Sequence, residues 1–365
     1  MSEFVTVPRY SAEGQKYLLG KSREFRYLPI KNENPGQPGE QVTFQVIPVK
    51  PLNSAEKKSL LGQLFKWRKL VFVLFPFVRL LVITEPGALD LGIFWLSFLA
   101  SICLFLGTSW QSDYLDHLRG YDLLAPTSAD GKNEDMKILA KGWLSASSLY
   151  QASWAVLIAG ALMGLYLILI RPGLIVVAVV VAALLLILFF SKGRAYKQRG
   201  WFDFGLIAIV GPLFAGGVEY ALFGTLSPDE LLFGLIWGML FLFSHSVQSF
   251  PKVAQLAQYH IEPWLFLKDF DKNKKYFPLF WVLILSLYSI HGILNGRTLM
   301  VIVNIGIVAF FTWKWIQSLN RMASPVGSEI KRVSEQGHHL VLMFIFMWLL
   351  ELIFSDIIRV VLKVI

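Results

Sequence analysis

The stretch Ser112-Asp113-Tyr114-Leu115-Asp116-His117-Leu118-Arg119-Gly120-Tyr121-Asp122 holds the residues of this chain best suited to chemistry. Asp113 and Asp116 stand at i, i+3, so a helix running through them presents both carboxylates on one face. Gly120 can end that helix and turn Asp122 back toward the pair. Three carboxylates with no cysteine and no second histidine nearby form a hard-oxygen site. Such a site suits magnesium, which binds one or two carboxylates and completes its shell with water and substrate phosphates. Lys132, Lys137 and Lys141 follow in the same loop. With the metal, they would hold a pyrophosphate and neutralise the charge that develops as it leaves. A solvated acidic helix end is the competing reading, and spacing alone leaves both open.

The elements that must carry this stretch belong in lipid. Of 365 residues, 55% are hydrophobic and 16% charged, where a soluble domain carries about a quarter charged. A bilayer core about 30 Å thick takes roughly 20 apolar residues per helix. Runs bounded by charge, Pro or Gly predict spans at 67–84, 90–112, 144–170, 173–191, 202–224, 230–248, 276–294, 298–318 and 339–358. The fold class expected is therefore all-α: a polytopic membrane bundle of about nine helices. Gly160 and Gly164 form a small-xxx-small pair that lets two helices approach closely. The single cysteine, Cys103, lies inside an apolar run and excludes an intrachain disulfide and a thiolate metal cluster.

Lys and Arg set the expected topology. With the N-terminus inside, about 26 of the 34 fall in 1–66, 113–143, 192–201, 249–275 and 319–338. Only Arg171 and Arg297 fall in the short outer connections. The net charge of +9 thus points to a membrane rather than to nucleic acid. The expected location is the inner, cytoplasmic membrane, with the N-terminus and the long loops, Asp113 among them, in the cytoplasm. No signal-peptide pattern is visible. Residues 1–66 read as a cytoplasmic extension and 67–365 as the transmembrane domain. The first 52 residues look mostly extended. Asn53 with Glu56 then forms a capping box, opening a helix over about 53–66 that reads as amphipathic and interfacial. Arg79, Asp203, Glu219 and Lys314 should face the bundle interior or lie near helix ends. Glu219 reads as structural, and His245 and His260 as satisfied polar residues rather than bases.

The aspartate stretch resembles the first aspartate-rich motif of the UbiA superfamily of intramembrane prenyltransferases. It is most similar to the branch that prenylates 1,4-dihydroxy-2-naphthoate in menaquinone synthesis, where an Asn-Asp-Tyr-x-Asp pattern precedes Gly-x-Asp. Asp113, Tyr114, Asp116, Gly120 and Asp122 keep that spacing, and Ser112 replaces the Asn. Lys137-Ile-Leu-Ala-Lys141-Gly142-Trp-Leu-Ser145 resembles the basic stretch before the third helix. Tyr196-Lys197-Gln-Arg199-Gly200 looks like the basic loop before the fifth helix, and Asp203, Gly211, Gly217 and Tyr220 match spacing within that helix. The likeness covers roughly 67–358.

The resemblance implies an enzyme that moves a polyprenyl group from an allylic diphosphate to an aromatic acceptor. Asp113, Asp116 and Asp122 would hold magnesium. Arg119, Lys137, Lys141, Lys197 and Lys252 would hold the diphosphate. Tyr114 and Tyr196 would line the prenyl pocket, with Trp143 and Phe250 as further ring faces for the cation; each ring also reads as packing or interface belt. The family's second aspartate-rich motif is absent. The matching segment, His245 to Gln255, carries Lys252, and no Asp or Glu occurs from Leu231 to Ile261. Three outcomes stay open: a one-metal site completed by Lys252, carboxylates lent by Asp269 and Asp271, or a relative that binds isoprenoid diphosphate or a partner enzyme without turnover.

Overall fold

A computed structural model describes residues 3–20, 24–33, 39–48, 51–85, 87–118, 139, 143–185, 201–250, 270–322 and 328–364. The N-terminal segment folds into strands β1 (Glu3–Pro8), β2 (Phe25–Glu33) and β3 (Gln41–Pro48), with helix α1 (Ala12–Leu19) after β1. The sheet is antiparallel in the order β1-β3-β2, with Val5 opposite Phe44 and Val7 opposite Val42. Side chains alternate faces along a strand. Val7, Val42 and Phe44 therefore meet Leu18 of α1 in a small apolar core. The expected extended N-terminal stretch is in fact this sheet module. Ser11 caps α1 by accepting from the Gly14 amide, and Gly20 ends it at φ +60°.

Helix α2 (Ser54–Phe65) opens with the capping box read from the sequence: Asn53 Oδ1 accepts the Glu56 amide and Glu56 Oε2 accepts the Asn53 amide, each at 2.8 Å. Long apolar helices follow: α3 (Trp67–Ile83), α4 (Leu91–Leu118), α5 (Ala146–Ile170) and α6 (Leu174–Leu185). Then come α7 (Trp201–Ala208), a π-helical turn (Ile209–Leu213), α8 (Phe214–Phe223), α9 (Pro228–Ser249), α10 (Phe270–Leu294), α11 (Thr298–Arg321) and α12 (Ser328–Val364). Every predicted span meets a helix. Seven helical stretches among the described residues are long and apolar enough to cross a membrane. The chain is a multi-pass, all-α membrane bundle with the sheet module at its N-terminus.

The described residues of 1–73 and 98–165 make one compact unit, and those of 74–97, 166–257 and 261–365 another. In the first, α4 and α5 approach at Gly107 and Gly160. A Cβ on Gly107 would lie 2.6 Å from Leu157, and one on Gly160 would lie 3.0 Å from Leu104. Gly164, the other half of the small-residue pair, has open space and takes no part. In the second, the predicted 202–224 span is broken where Pro212 lacks an amide hydrogen and Gly211 leaves helical geometry. The break lies against α9, backbone to backbone. A Cβ on Gly238 would stand 2.3 Å from the Ile207 carbonyl oxygen, so only glycine fits. Phe75, Phe233, Trp237, Tyr288, Phe344 and Trp348 pack ring against ring through this unit's core, stacked at Trp237 and edge-on or tilted elsewhere.

Candidate functional site

Helix α4 continues past the predicted membrane boundary, as the carboxylate pairing requires, and places Asp113 and Asp116 in its last two turns. The lysine beside Asp113 comes from an unexpected direction. Lys66, the single residue between α2 and α3, has φ +48°, the only left-handed non-glycine among the described residues. Its Nζ lies 2.7 Å from Asp113 Oδ2, with the two side chains 19% and 16% exposed, and 3.4 Å from the Ser109 carbonyl. Trp110 Nε1 donates to the Leu64 carbonyl at 2.9 Å and fixes the end of α2 beside the same helix. No spacing rule links positions 66 and 113. An ordinary lysine at position 66 gives the sequence no signal of this contact.

Tyr114 lies tilted against Tyr150 with ring centroids 4.8 Å apart and packs against Leu139, Ala146 and Leu149. Next along α4, His117 Nε2 lies 3.2 Å from the Leu18 carbonyl. A cavity of about 300 Å³ lies beside His117 and has Tyr17, Arg26, Tyr27, Trp143 and Ser145 among its walls. Tyr17 and Tyr27 are stacked at 4.2 Å. The hydrogen bond from Tyr17 to Glu13 pushes its phenol up to about 12, so the ring stays neutral at ordinary pH. Of the other sequence-predicted residues, Asp122, Arg119, Lys137, Lys141, Lys197, Lys252 and Tyr196 lie outside the described residues, as do Asp269 and His260.

No trio of His, Cys, Asp or Glu placed to hold a metal occurs among the described residues. The fit to magnesium therefore rests on the donor chemistry of Asp113 and Asp116. Both are hard oxygen donors, one turn apart on one helix, which is the number of carboxylates magnesium commonly takes from protein. At the C-terminal end of α9, where the resembled family carries its second acidic motif, the hydrogen-bonding side chains are Ser244, Gln248, Ser334 and His338, none of them a carboxylate. Ser244 Oγ lies 3.0 Å and Gln248 Nε2 2.8 Å from His338 Nδ1. Ser334 Oγ donates to the Val247 carbonyl at 2.7 Å.

A second polar cluster, in the other compact unit, was only partly foreseen through Arg79. Fully buried, Arg79 pairs with Asp229 at 2.8 Å and with Glu230. Asn295 donates to Asp229 at 2.6 Å, Arg297 lies 3.3 Å from Glu351, and Tyr288 and Asn304 both donate to Glu351. Buried charges demand such partners. Each carboxylate here has a positive partner, so the cluster reads as a lock tying α3, α9, α10, α11 and α12. Glu219 is structural, as expected: it accepts the Ser227 amide and hydroxyl at 2.9 and 2.8 Å. Lys314 is exposed near the end of α11, with its ammonium 4.4 Å over the Phe310 ring.

No family model and no curated protein matches the chain. Among solved structures, the chain is similar to digeranylgeranylglyceryl phosphate synthase in membranes, with a TM-score of 0.53 and 16% identity over 82% of this chain and 99% of that one. At this identity, the likeness is one of fold.

Proposed function

We propose that a chain with this membrane-synthase fold is a prenyltransferase of the UbiA superfamily, moving a polyprenyl group from an allylic diphosphate to an aromatic acceptor such as 1,4-dihydroxy-2-naphthoate. The observation that carries this reading is the Lys66–Asp113 contact at the end of a membrane-length apolar helix. An ammonium beside a carboxylate pair at the end of such a helix supports a site for the diphosphate head of a lipid-tailed substrate. Asp113 and Asp116, with Asp122, would hold magnesium, which when bound offsets phosphate charge as the leaving group departs. Lys66 adds a fixed positive charge and, with Arg119, Lys137, Lys141, Lys197 and Lys252, receives the pyrophosphate oxygens. The ring-walled cavity beside His117, with Arg26 at its side, suits a planar acceptor carrying an acid group. Allylic ionisation then leaves a cation that the electron-rich acceptor ring attacks. The acceptor proton goes to solvent or to the released pyrophosphate. We place the protein in the cytoplasmic membrane, with this end of α4 inside.

The test uses purified protein, magnesium, a labelled allylic diphosphate and dihydroxynaphthoate. Prenylated product is expected, and Asp113→Asn or Asp116→Asn should lower its rate by at least about a hundredfold. Absence of product from the wild type would overturn the enzyme reading. A second reading, a relative that binds isoprenoid diphosphate without turnover, is favoured by the Ser244, Gln248 and His338 cluster, which offers no carboxylate for a second metal. Diphosphate binding in the same assay without product selects it.

A further inference from the structure

One buried guanidinium joins the sheet module to the aspartate-bearing helix. Arg9 follows β1 and is 0% exposed. Its Nη1 donates to Glu40 Oε1 at 2.9 Å, and its main-chain amide donates to the Glu40 carbonyl at the same distance. Nη2 reaches across to α4, donating to the Leu118 carbonyl at 2.6 Å and the His117 carbonyl at 3.3 Å. The C-terminal part of a helix carries the negative end of its dipole, so a cation on carbonyls there is favourable. Here the cation arrives from 109 residues upstream. Two further contacts hold the same turn. Leu118 packs against the module's core of Val7, Leu18, Val42 and Phe44, and His117 meets the Leu18 carbonyl.

We propose that Arg9 is a positioning residue for the aspartate pair, and that the sheet module acts as a clamp fixing the last described turn of α4. The functional part of this proposal rests on the metal-dependent transfer reading given above. Asp116 immediately precedes His117, so the carbonyls that Arg9 grips belong to the turn that aims it. Unwinding of this turn would separate Asp116 from Asp113 and lose their shared face. Glu40 is 2% exposed and holds the far side of the guanidinium, so the fork cannot swing into water. Lysine at position 9 would keep the charge but lacks the planar fork that serves a carboxylate and two carbonyls together.

The experiment compares full-length wild type, Arg9→Met and Arg9→Lys in detergent micelles. Amide hydrogen exchange over 113–118 should quicken by about tenfold or more in Arg9→Met and less in Arg9→Lys, while peptides from α9 and α12 stay unchanged. The magnesium concentration giving half-maximal transfer should rise several-fold in Arg9→Met and be partly restored in Arg9→Lys. Unaltered exchange over 113–118 would overturn the clamp. Faster exchange with unaltered magnesium dependence would overturn the positioning role and leave a helix cap. If the wild type transfers nothing, the enzyme reading fails by itself; magnesium-dependent binding of inorganic pyrophosphate then replaces the transfer readout and decides the positioning role on the same terms.

Discussion

Lys66 Nζ stands 2.7 Å from Asp113 Oδ2, linking the joint between α2 and α3 to the aspartate-bearing end of α4. Neither group is freely solvated, so salt screens the pair less than it would a surface bridge. Lys66 also holds a left-handed backbone, which costs an ordinary residue about 1–2 kcal/mol.

Charge and backbone can be separated at this position. Lys66→Gly relieves the left-handed strain but removes the ammonium. Its thermal midpoint should match or exceed that of the wild type, while prenyl transfer falls by about tenfold or more, as loss of a charge-stabilising group requires. Unchanged transfer would remove Lys66 from the site.

Metal removal should separate function from fold. Chelation is expected to abolish transfer and added magnesium to restore it, while helical circular dichroism stays constant. The bundle is held by apolar packing and the Arg79 cluster, neither of which contains the proposed metal ligands. Transfer that survives exhaustive chelation would exclude the metal role of Asp113 and Asp116.

Arg79→Met leaves Glu230 buried without its cation. Breaking a buried pair from one side commonly costs about 3–5 kcal/mol, so a large fall in the detergent melting temperature is expected. Arg79→Met combined with Glu230→Gln should recover part of that loss, because no uncompensated charge then remains at Glu230. Equal melting temperatures for the single and double variants would contradict the lock.

The glycine crossing gives a steric test. Gly238→Ala drives a methyl into the Ile207 carbonyl and should destabilise by roughly 1–3 kcal/mol. Gly164→Ala, with open space around it, should be neutral or stabilising by up to about 1 kcal/mol through helix propensity. Melting temperatures of the two variants in one detergent decide the matter.

The membrane helices were legible because lipid imposes length and apolarity together. The ends were less so: α12 runs from Ser328 to Val364 against a predicted 339–358, since hydropathy does not see a helix continuing into water. The break at Ile209–Leu213 carried a visible Pro212, yet apolar residues on both sides hid it. The sheet was missed because the prolines drew more weight than the alternation of Val42 and Phe44. At the site, the face shared by Asp113 and Asp116 was readable because it is local. Lys66 and Arg9 were not, because their partners lie 47 and about a hundred residues away and only tertiary packing brings them in.

The passage from α2 to α3 takes one residue, and that residue carries the ammonium. An elbow so short behaves as a crank: rotating the arm on one side turns the pin on the other. Any force that tilts α2 therefore reaches the carboxylate of Asp113 through a single residue, with no intervening relay.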